Sequence, residues 1–485
     1  MTEIPSQLPF RPNDKDDYII STDLGTRVYP ELLQPVSGGG VFIRPKVWTS
    51  FWITVKGELI PGEYEIAFTL KKIENAEYLA SCVYKLVVIG AELPRIPLKY
   101  TCWFHYDCIA DKHGYKIFSK RYYKVLNNYL KSAVSHGMNM LYTPLFTPAL
   151  DTAVGGERTT AQLVDVISNE AEVYKFSFSR LKEFMDNALA KGIEYFEMSH
   201  LATQWGAKAC PKVVAKRGGK TIKLFGWETP SQSESYLNFL DSFLSALKEF
   251  LCAGGYYEKC FFHISDEPLA EHLPNFMTIK KLLEKNMPGR PTIDALSHYE
   301  LYKEDAVDIP VIATDSVKDF KENDALKWIY YCNAQRKGYL SNRFFNMPSE
   351  RNRILGAQLY LHNIEGFLHW GFNFYNSVLS YEKINPYVIT DAGGAFESGD
   401  SFLVYPNGDG VLESLRHEVF FDGLQDRQAL YLLENMKGRA FVLNLLTEAG
   451  ISGFTEYKKA DGFLSGFRLN VNSIIKAEMC GNEYR

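Results

Sequence analysis

The stretch Glu194-Tyr-Phe-Glu-Met-Ser-His-Leu201, the helical run Ser233–Cys252 and the stretch Cys260-Phe-Phe-His-Ile-Ser-Asp-Glu-Pro268 together decide the fold. Two short apolar runs, each ending in polar residues, flank an amphipathic one. Short apolar runs read as buried strands, and a helix between them makes a parallel crossover. Outward from this unit the alternation repeats. The strand candidates are Tyr100–Cys108, Asn139–Phe146, Glu194–Leu201, Cys260–Glu267, Thr292–His298, Pro310–Asp315, Trp328–Asn333 and Gly366–Tyr375. Helical stretches Lys120–His136, Phe178–Lys191, Ser233–Cys252, Asn275–Lys285 and Ser349–His362 lie between them, and a long one, Leu412–Leu446, follows. Eight strands alternating with helices predict an α/β chain, a (β/α)8 TIM barrel over residues 98–485, rather than an open doubly wound sheet.

Residues 1–97 read differently. Asp17–Pro30, Gly40–Val55, Gly62–Lys71 and Tyr78–Ile89 carry alternating β-branched and aromatic residues, separated by turns such as Gly57-Glu-Leu-Ile-Pro-Gly-Glu63. They predict a small N-terminal β-sandwich domain. Glu92-Leu-Pro-Arg-Ile-Pro97 reads as the linker, because two prolines interrupt any ladder.

Of 485 residues 46% are apolar, which excludes a disordered or fibrous chain. Lys+Arg is 53 against 58 for Asp+Glu, with no block of like charge, so nucleic acid is not an expected partner. Met1-Thr-Glu-Ile-Pro-Ser-Gln7 lacks the basic and apolar regions of a secretory signal. No apolar run reaches the ~18 residues that cross a bilayer, so membrane insertion is not expected. The eight cysteines are scattered without a Cys-x-x-Cys pair. A reduced, cytoplasmic protein is the expectation. Oligomeric state stays open. No GxGxxG or GxxxxGK[ST] follows any strand, and no cofactor is expected.

In a barrel of this type the chemistry collects at the C-terminal strand ends. These ends read Trp103-Phe-His-Tyr-Asp107, Glu197-Met-Ser-His200 with Thr203-Gln-Trp205, His263-Ile-Ser-Asp-Glu-Pro268, His298, Asp315, Tyr330-Tyr-Cys-Asn333 and Trp370-Gly-Phe-Asn-Phe-Tyr375. Aromatic faces stack on sugar C–H surfaces, and amide, imidazole and carboxylate groups bind hydroxyls, so a carbohydrate fits this mixture. Trp103, His105, His200, Tyr331, Trp370, Asn373 and Tyr375 form the candidate set of sugar contacts. No metal ligand set is assigned. Gly155-Gly-Glu-Arg158 reads as a mobile loop whose arginine binds either substrate or an internal carboxylate.

Asp266-Glu267-Pro268 is the sharpest feature. Neighbours on a regular strand face opposite ways, so both acids reach one site only if the chain bends there. Glycoside hydrolysis usually places two carboxyls across one bond. The seventh and eighth strand ends offer no second carboxylate; Glu197, on the third, is the rival nucleophile. A 2-acetamido sugar can supply its own nucleophile, its carbonyl oxygen closing an oxazolinium ring. Asp266 would then orient the acetamide N–H, and Glu267 would act as general acid and later general base.

The motifs His263-Ile-Ser-Asp-Glu-Pro268, Thr101-Cys-Trp-Phe-His-Tyr-Asp107, Gly366-Phe-Leu-His-Trp-Gly-Phe-Asn373 and Arg416…Gly423-Leu-Gln-Asp426 together resemble glycoside hydrolase family 123, within the group catalogued as domain of unknown function 4091. The resemblance spans about residues 15–445. It implies a β-sandwich before a catalytic barrel, and a retaining exo-β-N-acetylgalactosaminidase acting on an oligosaccharide or glycoconjugate by substrate assistance. The family's catalytic pair maps onto Asp266 and Glu267, and sugar contacts map onto Trp103, His105, Trp370 and Asn373. Two alternatives stand beside it. One is a metal-dependent barrel hydrolase using His105, His200, His263, His298 and Asp315. The other is a glycan-binding protein without catalysis.

Overall fold

The computed structural model describes residues 2–8, 19, 25–36, 40–43, 45–46, 48–56, 58–95 and 98–482. The expected central strands are all present, each shorter than its apolar run: Lys99–Cys102, Met140–Thr143, Tyr195–Met198, Cys260–Phe262, Ile293–Leu296, Ile309–Ala313, Trp328–Tyr330 and Gly366–His369. In chain order they are the first to the eighth. Parallel ladders join second to third, third to fourth, fifth to sixth, sixth to seventh, seventh to eighth, and eighth to first. A parallel bridge between Phe262 and Thr292 joins fourth to fifth. At the remaining seam, Asn139 N–H donates to Tyr100 O at 3.2 Å and Tyr100 N–H to Asn139 Oδ1 at 3.0 Å.

Side chains alternate along these strands. Met140, Tyr142, Phe261, Ile293, Val311, Trp328, Tyr330 and Leu368 share one buried cluster with Trp103. The opposite parity, including Leu141, Phe196, Phe262, Ile312, Ile329, Tyr331 and Phe367, packs in the largest cluster with helix residues such as Tyr122, Phe239 and Phe420. Packing inside the strand layer is tight. A Cβ on Gly366 would lie 1.9 Å from the Trp328 ring, so only glycine leaves room for that indole.

The helix Lys120–Ser135 starts where the Ser119 hydroxyl accepts from Tyr122 N–H, and it buries Tyr122, Val125, Leu126, Tyr129, Leu130 and Ala133. Leu412–Leu446 is not one helix. Gly410–Ser414 forms a hairpin with Val404–Asn407, then helices Leu415–Lys437 and Arg439–Glu448 follow, broken at Gly438 where φ is 80°. Leu415–Lys437 crosses Leu355–Leu361 at two glycines; a Cβ on Gly356 would meet the Gly423 carbonyl oxygen at 1.7 Å. Asp426 accepts two bonds from Arg353 and one from Arg468, tying three helices together.

The N-terminal reading needs correction. The expected strands Gly62–Lys71 and Tyr78–Ile89 are present as Gly62–Lys71 and Tyr78–Val88, paired antiparallel as a hairpin. No strand forms among the described residues of Gly40–Val55, and of the expected Asp17–Pro30 strand, 17–24 lies outside the described residues apart from Ile19. The strand instead covers Gly25–Leu33. It pairs on one side with Thr2–Leu8 and on the other with Gly410–Ser414, so the sheet draws on distant chain and is not confined to residues 1–97. Buried Arg416 seals this junction, its Nη2 donating to Glu31 Oε1 at 2.7 Å. Residues 91–95 carry no regular structure, and 96–97 of the expected linker lie outside the described residues. A further small sheet, Asp165–Ser168, Tyr174–Ser177, Val213–Arg217 and Lys220–Phe225, brackets the third strand in sequence. No helix among the described residues is long and apolar enough to cross a membrane.

Candidate active site

Asp266 and Glu267 lie in the loop beyond the fourth strand, at the C-terminal edge of the parallel strands, where α/β folds bind ligands. The required bend is present: Glu267 has φ 44°, a left-handed conformation uncommon for a residue with a Cβ. Asp266 is half-buried and Glu267 reaches solvent. Tyr330, ending the seventh strand, donates its hydroxyl to Glu267 Oε1 at 2.9 Å. Loss of hydration among protein groups pushes the Glu267 carboxyl above its usual range, and negative Asp315 adds to this, while the Tyr330 bond opposes it. Asp266 is driven well above the usual aspartate range, first by burial and then by Glu267, with the positive His263 pulling the other way. The two adjacent carboxyls therefore titrate as a pair and retain a proton to higher pH than isolated acids.

Beneath them lies a buried charged network. Glu197, with none of its surface exposed, accepts from Thr101 Oγ1 at 2.6 Å, Trp103 Nε1 at 2.7 Å and His263 Nε2 at 2.6 Å. His263 Nδ1 donates to Asp294 Oδ1 at 2.9 Å, and Ile264 N–H to Asp294 Oδ2 at 3.2 Å. Burial alone would lower the His263 pKa, but hydrogen bonds and charge from these two carboxylates raise it to about 10, so the ring is an imidazolium. Burial holds Asp294 at about 6. His200 stacks on His263 with ring centroids 4.3 Å apart. Its Nδ1 meets the Tyr142 hydroxyl at 3.0 Å, and burial with the neighbouring charge keeps it neutral.

The candidate sugar contacts divide sharply. Trp103 spends its N–H on Glu197 and sets its ring edge against His200 and His263. Buried His105 donates from Nε2 to Trp370 O at 2.9 Å and accepts at Nδ1 from Arg158 at 3.1 Å. Asn373, fully buried, clamps His105 by both backbone groups, accepting from its N–H at 2.9 Å and donating to its C=O at 3.1 Å. Tyr375 is buried and donates to Val404 O. Tyr331 points to the helix side, against Phe367 and His369. His200 belongs to the network below the acids. Trp370 is only half-buried, and Asp400 fixes it by accepting from its indole N–H at 3.0 Å. Arg158 binds the internal carboxylate: two of its nitrogens contact Asp107 at 2.7 and 2.6 Å.

Tyr330 is the contact that sequence reading missed, although the signal was there. Trp328 and Tyr330 share the parity of the inward cluster, which turns Tyr331 outward.

Of the residues considered for a metal, His200, His263 and Asp294 do converge, with ligand atoms within 4.8 Å of one another. They fit a metal poorly. Both His263 nitrogens donate to carboxylates, so this ring has no lone pair left for a cation. His105 is committed as described, His298 is exposed, and Asp315 accepts both bonds of the Gln335 amide.

A search of curated proteins finds no match. Among solved structures, a family 123 glycoside hydrolase from Clostridium perfringens, described for glycolipid glycan hydrolysis, is similar at 15% identity and a TM-score of 0.70, over 98% of this chain and 85% of that one. A β-galactosidase from Bacillus circulans sp. alkalophilus is more distant, at 11% identity and a TM-score of 0.38 over 69% of this chain and 56% of that one. The family description "Glycoside hydrolase 123, catalytic domain" matches residues 103–433, more than half of the chain, a span that includes Asp266 and Glu267. This protein belongs to glycoside hydrolase family 123.

Proposed function

We propose that the protein is a retaining exo-β-N-acetylhexosaminidase, with terminal β-linked N-acetylgalactosamine as its preferred sugar, acting through the substrate's own 2-acetamido group. The observation that carries this is the pairing of adjacent Asp266 and Glu267 in one loop, with Tyr330 bonded to Glu267. The rival nucleophile Glu197 is buried and held by three donors, which leaves it no path to an anomeric carbon. In this reading Asp266 accepts the acetamide N–H and steadies the developing oxazolinium charge. The acetamide carbonyl oxygen attacks the anomeric carbon, whose bond to the leaving oxygen breaks as Glu267 gives that oxygen its proton. Glu267 then takes a proton from water, which opens the ring from the same face as the departed aglycone and restores the β configuration. The proton retention of the pair suits this division of work, since Glu267 must enter the reaction protonated.

The eight parallel strands are read as the wall of a (β/α)8 barrel, beside which strands of residues 1–97 form a β layer completed by Val404–Ser414. The cysteines are all free thiols, in keeping with a reducing compartment such as the cytoplasm. The similarity to an enzyme described for glycolipid glycan hydrolysis supports an oligosaccharide or glycoconjugate substrate.

The test is a panel of 4-nitrophenyl glycosides. The β-N-acetylgalactosaminide should be cleaved, and the plain 2-hydroxy β-galactoside should react orders of magnitude more slowly, because well-oriented intramolecular groups reach effective molarities of about 10⁵–10⁸ M. Comparable rates on both would overturn substrate assistance. So would a stable adduct on Glu197 or any other side chain from a 2-fluoro-2-deoxy glycoside.

A further inference from the structure

Trp205 lies in the loop after the third strand and is 46% exposed, unlike buried Trp103 and half-buried Trp370. Its backbone is held hard against the catalytic loop. Trp205 N–H donates to Asp266 O at 3.0 Å, Ala207 N–H to Ser265 Oγ at 3.2 Å, and Ser265 Oγ to Thr203 O at 2.8 Å. Three consecutive residues take positive φ: Trp205 at 56°, Gly206 at 121° and Ala207 at 52°. Two of them carry a Cβ, so the turn stores strain that the surrounding bonds must hold. Gly206 admits no side chain, since a Cβ there would lie 2.7 Å from the His272 ring. A large aromatic face is thus kept in water at a costly backbone angle, one hydrogen bond from the catalytic aspartate. Burial cannot explain it, because nearly half of the residue stays exposed.

Resting on the glycosidase reading, we propose that Trp205 is the platform for the leaving-group sugar, the ring joined to the oxygen that Glu267 protonates. Exposure distinguishes the two sides of the site. The reacting sugar must bring its acetamido group to half-buried Asp266, whereas Glu267, which serves the departing oxygen, opens to solvent. An exposed indole beside this loop meets the part of the glycan that projects outward. Its ligand is therefore a pyranose presenting a C–H face.

The experiment compares two substrates with the same terminal β-N-acetylgalactosamine: the methyl glycoside, which has no aglycone ring, and an oligosaccharide, which has one. With the stacking face removed, Trp205→Ala should raise KM for the oligosaccharide about 2–10-fold. The methyl glycoside should keep its kcat/KM within about twofold, and Trp205→Phe should recover most of the oligosaccharide KM. Equal losses on both substrates would make Trp205 a strut of the catalytic loop and overturn the platform; an unchanged oligosaccharide KM would do the same. Cleavage of neither substrate by the unaltered enzyme would fail the glycosidase reading separately. Calorimetric titration of the oligosaccharide into Glu267→Gln, with and without Trp205→Ala, then decides the platform. A 2–10-fold weaker Kd supports it, and an unchanged Kd or no binding overturns it.

Discussion

The Tyr330 hydroxyl and the Glu267 carboxylate, brought from the seventh strand and the loop of the fourth, meet at 2.9 Å. This donor favours the ionised carboxylate and so limits how far loss of hydration can raise the acid. Tyr330→Phe removes it. The sign follows directly: Glu267 holds its proton to higher pH, and the alkaline limb of kcat/KM moves upward. A hydrogen bond worth about 0.5–1.5 kcal/mol corresponds to a move of up to about one pH unit. A pH–rate profile of this variant showing no movement, or movement downward, would contradict the assignment.

Glu267→Gln should keep the fold and lose general acid catalysis, about 10²–10⁴-fold in rate on an oligosaccharide. On a 4-nitrophenyl glycoside the loss should be smaller, because nitrophenolate departs with little protonation. Near-normal turnover of the oligosaccharide by this variant would remove Glu267 from the mechanism.

Activity should follow a bell-shaped pH profile whose active form carries one proton on the Asp266–Glu267 pair. Both carboxyls are raised, so the acid limb should lie above the ordinary aspartate range. A bound acetamide N–H favours the ionised form of Asp266 and steers the proton to Glu267. Asp266→Asn should abolish the acid limb and cost about 10²–10³-fold, the scale of losing one preorganised electrostatic contact. Retention of the limb would transfer the titration to another group.

His263 makes a stability prediction. Its folded pKa of about 10 lies above the ordinary histidine value of about 6.5, so its contribution is complete below about 6.5 and is lost as pH rises towards 10. Thermal melts should show this decline, and His263→Gln should flatten it. Asp294, raised to about 6, acts in a lower window: its ionisation in the folded state costs stability as pH rises through that value. Because Glu197 and Asp294 would remain buried without their partner, the variant should lose about 3–5 kcal/mol. An unchanged alkaline slope would assign the decline to other groups.

The order of the central strands was legible because each is buried on both faces and therefore nearly all apolar. Their ends were not: Gly366 to Tyr375 reads as one strand, yet pairing stops at His369, since Gly371 N–H and the Arg343 guanidinium both donate to the His369 ring. Asp266 and Glu267 could be found because a doublet before proline is a local signal. The clasp of Glu197, His263 and Asp294 could not, because three strands contribute one residue each and no spacing records it. Asn373 and Tyr375 have the residue types of sugar ligands, but their polar atoms serve the backbone of His105 and Val404. In the N-terminal region, alternation over Gly40–Val55 is a weak guide because it says nothing about a partner strand, whereas Gly25–Leu33 finds one in Gly410–Ser414.

That last pairing has a consequence for biosynthesis. Leu32 and Leu33 hydrogen-bond in register with Ser414 and Glu413, and Glu31 is neutralised by Arg416. A ribosome adding about 5–20 residues per second would emit the first strands tens of seconds before their partners exist. During that interval the early strands present an unpaired edge, and Glu31 lacks its counter-charge. Completion of the fold is thus a late, long-range event, and a pause or truncation before Arg416 would leave a nascent chain with its beginning unanchored.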